Sequence, residues 1–120
     1  MVKVKTFKEL IVWQKAMEMT EMLYSVASKL PKEETFAMCS QMRRAAVSIP
    51  SNIAEGFGRS SKKEYMQFLY IAYGSVCELE TQLLLCVRIK YLTEEEIQPI
   101  IELLTEIGKI ITTITKKLNP

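Results

Sequence analysis

Ser40–Lys63, SQMRRAAVSIPSNIAEGFGRSSKK, is the stretch on which the fold turns. Met42, Ala45, Ile49 and Ile53 fall three or four residues apart, and Met38 one turn earlier extends them into the buried stripe of an amphipathic helix. Arg44, Ser48, Ser51 and Glu55 share the opposite face, with Asn52 beside them. Pro50 lies inside this helix and removes one backbone hydrogen bond, which predicts a kink near Ala46–Ile49. Gly56 and Gly58 end the helix as positions tolerant of positive φ. Ser61 and Glu64 then have the spacing of a capping box that opens another helix. Two helices joined by so short a connection run antiparallel.

The same pattern spreads outward in both directions. Upstream, Thr6 and Glu9 make a capping box, and Leu10, Trp13, Met17, Thr20, Tyr24 and Ala27 recur as a buried stripe widened by Met22, Leu23 and Val26. This first helix runs to about Ser28, where Leu30 and Pro31 stop it, because proline disfavours helical geometry at the residue before it. The second helix is predicted to start near Glu33 and Glu34, whose charges suit the positive end of a helix dipole. Downstream, Met66, Leu69, Ala72 or Tyr73, Val76, Leu79, Leu83 and Cys86 line the third helix. Gly74 within it, between Ala72 and Ser75, predicts the close approach of another helix. A third capping box, Thr93 with Glu96, opens a fourth helix with Ile97, Ile100 or Ile101, Leu104, Ile107, Ile111, Ile114 and Leu118 inside. Lys116 and Lys117 suit its negative end, and Pro99 sits in its first turns, where it is tolerated. Four helices with short loops and no strand pattern specify an all-α, up-down-up-down antiparallel four-helix bundle, with residues 1–120 forming a single domain.

Composition narrows the chemistry. The 120 residues contain no His, and all 14 acidic residues are Glu. Ser-His-Asp and Cys-His nucleophile activation, His metal ligation and the Glu-x-x-His pairs of di-iron bundles are thereby removed. No enzyme activity, cofactor or metal is expected; Glu55, Glu78 and Glu80 are the only carboxylates that suggest a cation site, and they lack an opposed ladder. Cys39, Cys77 and Cys86 are odd in number, lack C-x-x-C spacing and lie in apolar helical segments, as buried free thiols of a reducing cytosol would. No apolar run approaches the ~20 residues that span a bilayer, and the N-terminal run is too short for a signal peptide, so a cytoplasmic location is expected. Trp13, Tyr24, Phe68 and Tyr73 read as core or interface residues.

Charge is unevenly placed. Ser40–Lys63 holds Arg43, Arg44, Arg59, Lys62 and Lys63 against Glu55 alone, while the rest of the chain carries 11 Lys/Arg against 13 Glu. The molecule's net charge of +2 conceals a local +4 beside a slightly acidic remainder.

Val12–Ala16 (VWQKA), Gln41–Gly56 (QMRRAAVSIPSNIAEG), Gly58–Glu64 (GRSSKKE), Ile71–Ser75 (IAYGS) and Glu78–Thr81 (ELET) together resemble a bacterial family of four-helix-bundle proteins. Its members were first known as open reading frames in intervening sequences of large-subunit ribosomal RNA genes. The resemblance covers nearly the whole chain. It implies a closed bundle assembling as a ring-shaped homopentamer, without enzyme activity. A related branch is the accessory variability determinant protein of diversity-generating retroelements, a basic pentamer that binds nucleic acid and a reverse transcriptase. The family motif carries over onto Arg43, Arg44, Ser48, Asn52, Glu55 and Arg59.

Besides a solvated face with no role, two functional readings remain open. In one, Arg43, Arg44, Arg59, Lys62 and Lys63 contact the phosphates of RNA or DNA, and the ring multiplies their charge. In the other, the protein is a structural or protein-interaction module. Arg43 or Arg44 then pairs with Glu78 or Glu80 on the third helix, and Ser48, Ser51 and Asn52 hydrogen-bond between subunits near Glu55 and Gly74. The sequence pI of about 8.4 is modest for a dedicated nucleic-acid binder.

Overall fold

The computed structural model describes residues 3–119. Four helices, α1 (Ile11–Ala27), α2 (Met38–Phe57), α3 (Lys62–Arg88) and α4 (Glu94–Leu118), form an all-α bundle of 47 × 24 × 23 Å. Each helix packs on the next, and α1 closes against α4. α1 and α3, and likewise α2 and α4, are not neighbours but lie diagonally across the bundle. One continuous core runs through it, built from Val12, Met19, Leu23, Met42, Ile49, Ile53, Leu69, Leu79, Leu83, Ile100, Leu104, Ile107 and Ile111.

The helix starts differ in quality. Thr93 accepts from the Glu96 amide at 3.1 Å while Glu96 accepts from the Thr93 amide at 2.9 Å, a complete capping box. Ser61 accepts from the Glu64 amide, but Glu64 returns only to the Ser61 hydroxyl. Thr6 and Glu9 instead cap a 3-10 turn at Phe7–Glu9, with Glu9 accepting from the Lys5 amide, and α1 begins only at Ile11. The second helix likewise starts later than its acidic residues suggest. Lys32–Glu34 is a 3-10 turn, and Glu34 accepts from the Met38 amide at the first residue of α2.

The largest correction concerns which face of α1 is inside. Val12, Ala16, Met19, Leu23 and Ala27 are the buried residues. Of the predicted stripe, Ala27 and the widening Leu23 are buried, Leu10, Trp13 and Thr20 half-buried, and Met17 and Tyr24 exposed. The helix is turned by about one residue, or roughly 100°.

Pro50 does not break α2. Its missing N–H leaves the Ala46 carbonyl without its helical partner, and the Thr20 hydroxyl of α1, also bonded to the Ala16 carbonyl at 2.8 Å, lies 3.3 Å from it. Nor do the glycines end the helix through left-handed backbone, since no glycine has positive φ and Gly58 is at −80°. Gly56 is inside α2 for a different reason. A Cβ there would lie 2.7 Å from the Phe68 Cβ of α3, so only a hydrogen fits where the two helices cross. Gly74 shows the reverse: a Cβ would meet nothing within 4 Å, and no helix of the same chain approaches it. Cys39 and Cys86 are buried, whereas Cys77 is exposed.

Candidate nucleic-acid interface

The basic segment is split in two by the helix that carries most of it. Arg44 and Arg59 are fifteen residues apart, which along a helix is roughly 22 Å. Arg43 and Arg44, consecutive on α2, point to different sides.

Arg43 lies over the ring of Tyr24 in α1, 5.1 Å from its centroid. Its Nε is buried and has no hydrogen-bond partner. Arg44 lines an open groove of about 460 Å³ between α2 and α3, along with Phe36, Ser40, Gln41, Ser48 and Glu78. Among the described residues the ion pairs are Lys15–Glu106, Lys29–Glu96 and Arg59–Glu55, so neither arginine makes the cross-helix pair expected with Glu78 or Glu80. Glu80 faces the other side of α3, toward Lys109 and the α4 groove.

Two polar residues of α2, Ser48 and Asn52, are satisfied within the chain. Ser48 and Ser75 hydroxyls lie 2.8 Å apart across the α2–α3 seam. The Asn52 amide donates to the Ser48 carbonyl at 2.7 Å and to its hydroxyl at 2.9 Å. Ser51 takes no part and lines an apolar groove between α1 and α2. Ser75, buried on α3, is the member that the sequence reading names only as a neighbour of Gly74; its offset of three from the core residue Ala72 was the available signal.

The second basic site is the turn between α2 and α3, at one end of the bundle. Arg59 reaches back one turn to Glu55 at 2.6 Å and lies over the Phe68 ring of α3, 4.7 Å from the centroid. The guanidinium is thus oriented on both sides, a role for Phe68 that its position on a helical stripe did not disclose. Phe57 and Tyr65 pack edge to face at 6.0 Å beneath it, and burial pushes the Tyr65 hydroxyl above its usual pKa. Lys62 and Lys63 are the first two residues of α3, exposed and without an acidic partner among the described residues. Lysines are unfavourable at the positive end of a helix dipole, so local stability gives no reason for them there. Glu55, Glu78 and Glu80 point to three different places, with no shared cation site.

The family model for the 23S rRNA-intervening sequence protein matches residues 8–113. No curated protein matches the chain. Among solved structures, a protein of unknown function from the S23 ribosomal protein family of Bacteroides thetaiotaomicron superposes with a TM-score of 0.82 at 31% identity. The match covers 88% of this chain and 99% of that one.

Proposed function

From the premise that this chain belongs to the 23S rRNA-intervening sequence protein family, we propose that it is a non-enzymatic bundle that assembles with copies of itself and binds RNA or DNA through the α2–α3 turn. The observation that carries the nucleic-acid reading is the pair Lys62 and Lys63, exposed at the α3 N-terminus and in no ion pair among the described residues. Arg59, oriented by Glu55 and Phe68, adds a third cation at the same corner. Phosphate oxygens are the natural complement of this grouping, because the free amides and dipole of a helix N-terminus add to the side-chain charge. The pentameric ring implied by the family resemblance would bring five such corners together. Arg43 and Arg44 belong to other surfaces, so the α2–α3 turn alone is assigned to phosphate.

Anisotropy of labelled structured RNA and duplex DNA, titrated at several salt concentrations, tests this. Phosphate contact makes log K fall linearly with log salt, by close to one for each phosphate neutralised on duplex DNA. Lys62→Ala with Lys63→Ala should flatten that slope and weaken binding on every sequence alike. Absence of binding at low salt would overturn the reading. In that case the second reading, a protein-interaction module, gains, and the unpartnered Arg43 Nε favours it.

A further inference from the structure

We propose that the groove between α2 and α3 binds a free α-amino acid, with Arg44 taking the carboxylate and Glu78 the ammonium. The site is separate from the phosphate-binding turn, since Arg59 is roughly 22 Å from Arg44 along the helix. The groove has a volume of about 460 Å³, within the ~300–1,000 Å³ of small-molecule sites. Ser48 and Ser75, with hydroxyls 2.8 Å apart, lie deepest in it. α2 and α3 run antiparallel. Arg44, one turn before Ser48, and Glu78, about one turn after Ser75, therefore stand at the same level on opposite walls. The two charges do not pair with each other or with any other ionised group among the described residues. A lone anion drawn to Arg44 would meet the Glu78 carboxylate, and a lone cation drawn to Glu78 would meet the guanidinium. A ligand carrying both charges close together suits both walls at once.

Uncharged groups complete each end. Two hydroxyls share one hydrogen bond, so one serine proton stays free whichever serine donates. The Asn52 contact does not use it, because there the amide donates and Ser48 accepts. That proton, one turn from Arg44, is a second donor for a carboxylate. At the other wall, Gln82 follows Glu78 by four residues on the same face of α3. It is 6% exposed, and its Oε1 is buried without a hydrogen-bond partner. Cys86, a further turn on, meets Met42 of α2 at 3.8 Å, so Gln82 lies on the α2–α3 seam between that contact and the serine pair. A buried carbonyl oxygen left without a donor is costly, and an ammonium carries three donors. Phe36 lines the groove while 95% exposed, a ring that its own chain leaves uncovered. Beside Ala37 and Ala45 it gives an apolar ligand side chain a surface to lie on, so leucine and phenylalanine are the amino acids that fit.

Calorimetric titration of the full chain with millimolar leucine or phenylalanine tests the site. Leucinamide, which lacks the carboxylate, and N-acetylleucine, which lacks the ammonium, serve as companion ligands. Both amino acids should bind, and each companion should bind about tenfold or more weakly than leucine, the loss expected for one charge-assisted contact. Arg44→Gln and Glu78→Gln change exposed positions, so the bundle should fold, as circular dichroism would confirm. Arg44→Gln should erase the preference for leucine over leucinamide and keep the one over N-acetylleucine. Glu78→Gln should do the reverse. No binding of either amino acid, equal binding of the companions to wild type, or variants that keep both preferences would each overturn the proposal.

Discussion

Alanine in place of Gly56 or of Gly74 should shift stability in opposite directions, although both glycines are helical. Either change removes glycine's backbone entropy cost, a gain of at most ~1 kcal/mol. At Gly74 nothing opposes the gain, because the new methyl meets no atom within 4 Å. At Gly56 the methyl would stand 2.7 Å from the Phe68 Cβ and 3.1 Å from the Tyr65 Cδ1. Carbon atoms in good contact lie at about 3.5–4.0 Å, so α2 and α3 would have to part by roughly 1 Å along a seam that also holds the Ser48–Ser75 hydrogen bond. Overpacking of this kind costs about 1–3 kcal/mol. The expected balance is a loss of about 1–2 kcal/mol for Gly56→Ala and a gain of about 0.5–1 kcal/mol for Gly74→Ala. Urea unfolding followed by helical circular dichroism reads both. The midpoint should move down for one variant and up for the other at constant slope. An unchanged midpoint for Gly56→Ala would refute the close crossing of α2 and α3. A lowered one for Gly74→Ala would show that Gly74 serves its own chain.

Thr20→Val should cost about 1 kcal/mol in a chain with Pro50, because the Ala46 carbonyl then loses the Thr20 hydroxyl. In a Pro50→Ala background the restored N–H takes over that carbonyl and the cost should shrink; a double-mutant cycle with no coupling would refute the link. Lys29 bonding first, and the Thr93 amide second, hold the Glu96 carboxyl below its usual 4.5. A carboxylate with a lowered folded pKa adds stability above its unfolded pKa and loses it as pH falls through the folded one. Wild type should therefore weaken more than Glu96→Gln on acidification below about pH 4.5, as urea midpoints at several pH values would show. A thiol reagent should modify Cys77 at once, and Cys39 and Cys86 only on unfolding, since those two are buried and burial is the largest cause that raises the Cys86 pKa. Rapid reaction of all three would contradict the packing of the α1–α2–α3 core.

The number, order and direction of the helices were legible in the residues alone. Thr93 with Glu96, Ser61 with Glu64, and the apolar spacing of α2 and α4 are local signals, and local signals suffice to start and stop a helix. The pair Glu55 and Arg59 is also local, one turn apart, but the sequence reading gives the two residues separate roles. Three features depended on neighbours distant in sequence. The first is the inward face of α1, a helix with apolar residues on so many sides that its period specifies no phase. The bundle axis takes small Ala16 and Ala27 together with Val12, Met19 and Leu23, and leaves Trp13 and Met17 at the α1–α2 groove and Tyr24 exposed under Arg43. The second is the meaning of each glycine, since space for a Cβ is set by another helix: α3 fills it at Gly56, and no part of the chain does at Gly74. The third is the basic segment, one run in sequence and separate surfaces in space. A helix displaces its residues by 1.5 Å and 100° at each step, and only the packed neighbours decide which of those directions meets solvent.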